Sequence, residues 1–253
     1  MTPITISRPP AAAGTTWIRE GWRLFMLAPV PWTGMTALVF LVLMAVGLVP
    51  VVGVLAVHVL SPFIVAAYLA ASRGGSQGEP ISFIYLGVGW REGRNQLLVI
   101  GALYMVATLL IFQLVKAFTG GDMEVLLQQT QNPAALTPEQ AEQMLATALP
   151  AMTLGSLLFA PLLMATWFAP GLTVFEGFPA GRAMWWSLWA CWVNWRPILV
   201  YSLILGLAGM VALLIPFGLG LLVFLPWTLT STYAAYQDIF SPVAPAESLS
   251  ESA

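Results

Sequence analysis

The sequence predicts an all-α protein: a polytopic bundle of six transmembrane helices, paired as three hairpins, with amphipathic interfacial helices on the cytoplasmic side. Composition is the first observation, because 59% of the 253 residues are hydrophobic, only 8% are charged and the mean hydropathy is +0.85. Soluble domains carry roughly 25% charged residues. The second observation is a series of long apolar segments, and the third is a one-sided distribution of basic residues. A chain of this kind is expected to have lipid as its solvent.

Residues 14–240 are predicted to form a single integral membrane domain. Residues 1–13 are rich in proline and are predicted to be a flexible tail, as are residues 241–253, which combine proline with glutamate. The N-terminus does not resemble a secretory signal, because the first long apolar segment starts near Thr33 and a second follows it closely.

Six segments approach the length of roughly 20 apolar residues that crosses a membrane core. They are residues 33–49, 51–72, 97–118, 150–175, 197–215 and 217–237. Proline follows the first segment as Val49-Pro50 and the fifth as Ile215-Pro216. Tight turns at these positions would make each flanking pair a helical hairpin.

The basic residues predict the orientation of the spans. Under the six-span arrangement, every arginine falls on one side: Arg8, Arg19, Arg23, Arg73, Arg91, Arg94, Arg182 and Arg196. Lys116 is at the far end of the third span, and the loop 119–149 has no basic residue. Because cytoplasmic loops are enriched in Lys and Arg, both termini are predicted to be cytoplasmic in a multi-pass protein of a bacterial inner membrane.

The loop 119–149 contains one helix start. Thr137 is a candidate N-cap, Pro138 suits the first turn, and Gln140 completes a capping box. A helix from Pro138 to about residue 149, continuing into the fourth span, is therefore expected.

The chain contains a faint internal repeat. Arg19-Glu20-Gly21 precedes the first span and Arg91-Glu92-Gly93 precedes the third. The second, fourth and sixth spans end in Ala66-Ala67-Tyr68, Ala165-Thr166-Trp167 and Ala234-Ala235-Tyr236. Three parallel repeats of interfacial helix, span, turn and span would explain the matches, although short matches also arise by chance in apolar segments.

Tryptophan is concentrated near the basic side, where nine of the eleven tryptophans are expected. Residues 15–28 form an amphipathic pattern, and residues 180–196 have tryptophan at i, i+4, i+7 and i+10. Candidate lipid- or partner-binding residues on these helices are Trp17, Arg19, Trp22, Arg23, Trp185, Trp189, Trp192 and Trp195. Membrane anchoring by tryptophan at the interface is the simpler interpretation.

Ionisable residues inside the spans are scarce. His58 is the titratable residue expected near the membrane midplane, so it is a candidate for a transport path, although a lone histidine also suits a hydrogen-bonded packing role. Structural roles are predicted for Pro62 and Pro161 as kinks, for Glu176 as the ion-pair partner of Arg182 or another arginine, and for Ser202 and Gly206, with Gly209 beyond, as a close-packing stripe.

Enzymatic chemistry is not expected. One cysteine and one histidine cannot build a Cys/His zinc site, and no HExxH, nucleophile elbow or P-loop is present. The net charge of −2 argues against nucleic acid as a partner. No cofactor or metal is predicted, whereas membrane lipids are, and a protein partner or a homo-oligomer stays open.

One segment resembles a known kind of membrane domain. Residues 170–180 include an acidic-Gly turn at Glu176-Gly177, followed by Ser187-Leu188-Trp189 and Asn194-Trp195-Arg196. This pattern is similar to that of uncharacterised bacterial six-span inner-membrane proteins, and to the membrane domain attached to some glycerophosphodiester phosphodiesterases. The resemblance implies a membrane module over most of residues 15–240 and no substrate, because the soluble catalytic domain is absent.

Two functions follow from these observations. The first is a non-enzymatic inner-membrane module with a structural, lipid-organising or partner-binding role, based on the tryptophan-rich helices. The alternative is a small transporter or channel for an apolar or zwitterionic solute, based on the kinked spans and the repeats.

Overall fold

A computed structural model describes residues 4–118 and 138–242. The described chain is almost entirely helical. Its helices are α1 (Ala13–Leu27), α2 (Pro29–Gly47), α3 (Val52–Ser76), α4 (Val88–Glu92), α5 (Arg94–Phe118), α6 (Pro138–Trp167), α7 (Ala169–Glu176), α8 (Ala180–Val193), α9 (Trp195–Leu214) and α10 (Leu219–Ile239). Short 3-10 helices cover Phe83–Gly87 and Pro216–Gly218. The strands β1 (Ile4–Ile6) and β2 (Phe240–Pro242) pair antiparallel.

Six of these helical segments are long and apolar enough to cross a membrane: Pro29–Gly47, Leu55–Ser76, Arg94–Phe118, Leu145–Glu176, Trp195–Leu214 and Pro216–Ile239. They confirm the predicted all-α polytopic bundle, and the predicted segments differ from them by a few residues at each end. The helix start at Pro138 is also confirmed, whereas its predicted cap at Thr137 lies outside the described residues.

The fourth span is broken near its C-terminal end. Helix α6 stops at Trp167, α7 starts at Ala169, and Pro170 lies in the first turn of α7. Because proline has no amide hydrogen and its ring clashes with the preceding turn, a continuous helix through residue 170 is disfavoured. The predicted kinks at Pro62 and Pro161 lie inside α3 and α6, which continue through them.

The predicted flexible tail over residues 1–13 is wrong for its described part. Ile4 pairs with Pro242 and Ile6 with Phe240 in the two-stranded ladder, and the amide of Ser7 donates to the carbonyl of Ile239 at 2.8 Å. The side-chain amide of Asn194 also donates to the carbonyl of Ser7 at 3.0 Å. These long-range bonds hold the N-terminal segment against the end of the last span.

The three hairpins pack in a cycle. Helix α1 of the first hairpin packs on α10 of the third, α4 and the preceding 3-10 helix of the second pack on α3 of the first, and α8 of the third packs on α6 of the second. Each interfacial helix thus lies on the second span of the preceding hairpin. Three parallel repeats are expected to pack in this way.

The span ends that adjoin arginine residues in the sequence lie together at one end of the bundle. The Arg73 guanidinium lies 5.0 Å from the ring centroid of Phe175, the hydroxyls of Ser76 and Tyr233 are 3.3 Å apart, and the amide of Ala180 donates to Gln96 at 2.8 Å. These contacts join the ends of the second, third, fourth and sixth spans. We call this end of the bundle the basic end.

Candidate functional site

Helix α8 at the basic end has two faces of opposite character. The rings of Trp185, Trp189 and Trp192, with Trp195 just beyond the helix, are 63, 49, 66 and 55% exposed. We call these four residues the tryptophan surface. The opposite face is made of small residues that are fully buried against the neighbouring helices, namely Ala183, Ser187, Ala190 and Cys191. Packing of the small face on the bundle therefore directs the large rings outward.

Ser187 fixes α8 at the break in the fourth span. Its hydroxyl donates to the carbonyl of Met164 at 2.6 Å and accepts from the amide of Phe168 at 2.9 Å. Both backbone groups lie where α6 gives way to α7, so one serine satisfies groups that the broken helix leaves unpaired. The break and the interfacial helix are consequently one structural unit.

Arginines flank the tryptophan surface. The Arg182 guanidinium lies 4.0 Å from the ring centroid of Phe178, and that of Arg196 lies 5.4 Å from the ring centroid of Trp195. The predicted ion pair between Glu176 and Arg182 is wrong, because the carboxylate of Glu176 instead accepts a 3.4 Å hydrogen bond from Tyr236. Cation–π contact with nearby rings replaces the ion pair.

The thiol of Cys191 is buried at the interface between α8 and the bundle. Burial raises its pKa to about 12, because the low-dielectric surroundings disfavour the thiolate. Its sulfur lies 3.6 Å from the carbonyl oxygen of Met164. A protonated, enclosed thiol of this kind is a packing group and a weak nucleophile.

Helix α1 packs mainly on protein. Trp17 is 2% exposed, and its indole N–H donates to the carboxylate of Asp238 at 2.8 Å. The prediction that Trp17 contacts lipid is therefore wrong. Trp22 is 41% exposed and packs edge-on against Trp227, while Arg19 and Arg23 are exposed. Of the predicted residues on α1, these three remain available to lipid or a partner.

A polar cluster that the sequence analysis did not identify joins α1 to the last span. The hydroxyl of Thr230 donates to the carbonyl of Gly21 at 2.8 Å, and the indole of Trp227 donates to that of Ile18 at 3.0 Å. Behind them, the Tyr201 hydroxyl lies 2.9 Å from that of Ser231. In the sequence, four hydroxyl residues within Thr228–Thr232, inside an otherwise apolar span, indicate this cluster.

A cavity of about 360 Å³ lies among the second spans of the three hairpins, and we call it the central cavity. His58 and Pro62 line it from α3, Thr166 from α6, Pro170 from α7 and Thr228 from α10. The ring centroids of His58 and Tyr104, which also lines the cavity, are 5.5 Å apart. His58 therefore lies on the wall of this partly open cavity.

Proline shapes the cavity wall at α3. Pro62 cannot donate to the carbonyl of His58 four residues earlier, and the hydroxyl of Ser61 donates to that carbonyl at 2.9 Å instead. His58 lies six residues into α3, about 9 Å along a helix with a rise of 1.5 Å per residue. It therefore lies about as far from the end remote from the arginines as from the middle of α3, and not at the predicted midplane.

The predicted close-packing stripe on the fifth span is wrong at Gly206. No atom lies within 4 Å of the position that a Cβ would take there, whereas a Cβ at Gly209 would meet the ring of Phe224. Ser202 is half-buried, and Pro161 is exposed on the outside of α6. Among the described residues, no group of three His, Cys, Asp or Glu side chains is placed to hold a metal ion.

Comparison with known proteins gives one informative similarity. Over an alignment of 259 positions the chain is 28% identical to a probable inner membrane protein of Burkholderia thailandensis, and the alignment covers 93% of each chain. No family model matches the chain, and no solved structure matches it.

Proposed function

We propose that this integral membrane protein is a non-enzymatic module of a bacterial inner membrane that binds lipid headgroups or a partner at its basic end. The six apolar helices support the membrane assignment. The similarity over 93% of the chain to a probable inner membrane protein supports the choice of membrane. Clustering of the arginines at one end supports placing that end, with both termini, in the cytoplasm.

The tryptophan surface is the observation that carries the proposal. Three large rings face outward from α8, whose other face is fully buried, a fourth follows at the start of α9, and Arg182 and Arg196 flank them. Indole rings favour the headgroup region because the ring is apolar and its N–H needs a polar partner. Exposed arginine supplies the charge that attracts anionic phosphate.

The test replaces Trp185, Trp189 and Trp192 together with alanine. We expect this variant to retain fewer phospholipids during detergent washing, counted by native mass spectrometry, because three indole rings that favour the headgroup region are lost. The matched control replaces three exposed leucines of α9, Leu199, Leu203 and Leu207, with alanine. Equal lipid retention by the two variants and the unmodified protein would contradict the proposal.

The resemblance to the membrane domain attached to some glycerophosphodiester phosphodiesterases belongs to the same proposal. Its motif corresponds to α7, the turn at Gly177 with φ of 66°, and α8. These elements include the break in the fourth span and the tryptophan surface. A shared module for docking at the membrane surface would account for the pattern.

The second candidate function is a small transporter or channel, favoured by the central cavity beside His58 and by the broken fourth span. Irregular helices that line a cavity are a recurrent feature of transporters. Transport requires the cavity to reach both sides of the membrane in turn. Solute uptake into proteoliposomes therefore separates this candidate from a purely docking role.

A further inference from the structure

The second span of each hairpin contributes a serine or threonine to the wall of the central cavity, and Tyr104 and Thr232 add two further hydroxyls. Ser61 comes from the second span of the first hairpin, Thr166 from that of the second, and Thr228 from that of the third. The cavity is therefore lined in a similar way from three directions. This placement follows from the cyclic packing of the three hairpins.

The three hydroxyls already use their protons within their own helices. Ser61 donates to the carbonyl of His58, Thr166 to that of Leu162, and Thr228 to that of Phe224, each at 2.9 Å. A hydroxyl has one hydrogen to donate and two lone pairs to accept. What these three residues retain for a ligand is therefore acceptor capacity, which a ligand O–H matches by donating, while the hydroxyl of Tyr104 on the same wall can donate to the ligand's oxygen.

The remainder of the wall excludes charged ligands. Apolar side chains such as Val57, Val65 and Leu229 make up most of it, and no Asp, Glu, Lys or Arg lines it. An ion in such a space would lose its hydration without gaining a counter-charge, which is costly. A suitable ligand is uncharged and mainly apolar.

The cavity has a route to the bilayer. Helices α6 and α10 are not among the closely packed helix pairs, and Leu163, which faces the cavity from α6, is 44% exposed. A gap between α6 and α10 would admit a molecule dissolved in the membrane. Water-soluble ligands have no comparable lateral path.

We infer that the central cavity binds a small, uncharged, mainly apolar alcohol or phenol taken from the bilayer. The ligand's O–H donates to the hydroxyls of Ser61, Thr166 or Thr228, and its apolar body fills the remaining volume. The inference goes beyond the docking proposal and does not depend on the tryptophan surface. A binding role at this site also needs no movement of the ligand across the membrane.

The experiment uses the full chain in lipid nanodiscs and two photoreactive probes. One probe is a diazirine-bearing octanol, and the other is its methyl ether, which has nearly the same size but no donor. We expect the alcohol to label peptides containing Ser61 and Thr166, and the ether to label them roughly tenfold less, since a missing hydrogen bond in an apolar site is poorly replaced. Mass spectrometry of the digested protein locates the adducts.

Three variants sharpen the result. Leu163→Trp should block the gap and reduce cavity labelling, while Leu207→Trp, on the lipid-facing side of α9, should leave it unchanged. Thr228→Val keeps the side-chain shape, removes an acceptor and should weaken the preference for the alcohol. Equal labelling by alcohol and ether in the unmodified chain, or adducts spread evenly over lipid-facing peptides, would overturn the inference without bearing on the tryptophan surface.

Discussion

Several contacts between helices depend on a hydroxyl that bonds to a neighbouring backbone. Ser187 bonds across the break in the fourth span, and Thr230 bonds to the carbonyl of Gly21. In the membrane core no water competes for these groups, so an unmade bond costs more than it would at an aqueous surface. Cys191 also lies at such a contact, where its buried thiol packs as a small apolar group.

The enclosure of Cys191 leads to a prediction about its reactivity. Because burial holds the thiol pKa near 12 instead of 9, the thiolate fraction at pH 8 is roughly 10³-fold smaller than in the unfolded chain. We expect maleimide to label the detergent-solubilised protein very slowly and the SDS-denatured protein rapidly.

A control for this prediction places a thiol at an open position. Gly181→Cys in a Cys191→Ala background should label quickly in the folded state, because no atom lies within 4 Å of the Cβ position at residue 181. Fast labelling of native Cys191 would contradict its burial. Since the folded pKa is raised, this group's contribution to stability is complete below pH 9 and declines as pH rises towards 12.

At the residue scale, spacing predicted the tryptophans of α8 because i, i+4 and i+7 place side chains on one face of any helix. The same reasoning failed for Trp17. An apolar arc predicts that something apolar covers it, whereas only the tertiary contacts with Asp238 and Tyr201 show that protein and not lipid does so. The Glu176–Arg182 pair failed because nearby rings compete for the guanidinium.

Among the elements, α1 depends most on close approach to its partner. A Cβ at Gly21 would collide with the backbone and side chain of Ser231, so the two helices can meet only if residue 21 is glycine. The bonds from Thr230 and Trp227 to α1 require the same separation. The helix is therefore held by packing on the last span and not by lipid alone.

Gly21→Ala should loosen α1. We expect a loss of about 1–3 kcal/mol of stability, as for other overpacked contacts, seen as a lower melting temperature in detergent and faster tryptic cleavage after Arg19 and Arg23. Gly181→Ala is the matched control in another interfacial helix, and there the better helix propensity of alanine should stabilise slightly. Equal cleavage of the two variants would show that α1 is not docked through Gly21.

Hydropathy predicted the six spans because each needs enough apolar length to cross the bilayer, a property that is local in sequence. The strand pair was not predictable in this way. The two strands have three residues each, which is too short to show the alternation of apolar and polar residues that predicts a strand. They pair because the cycle of hairpins brings Ile4 beside Pro242. The central cavity was missed for a similar reason, since Ser61, Thr166 and Thr228 are far apart in sequence.

For the whole molecule, the grouping of arginines at the basic end sets the expected topology. Cysteine introduced at Gln77 or Gly181, in a Cys191→Ala background, should react with a membrane-impermeant maleimide only when the cytoplasmic face of the membrane is exposed. Cysteine at Thr130, a position outside the described part of the chain, should react only from the other face. Labelling of residues 77 and 130 from the same face would contradict the arrangement.

The packing of α1 on α10 has a consequence for biosynthesis. The ribosome delivers the hairpins in order, so Gly21 emerges long before Thr230, its partner 209 residues later in the chain. Until the last hairpin is inserted, the newly made α1 has no protein surface on which to bury Trp17. Assembly must therefore finish by joining the oldest part of the chain to the youngest, and a chain truncated before the sixth span would lack the surface on which its first helix packs most extensively.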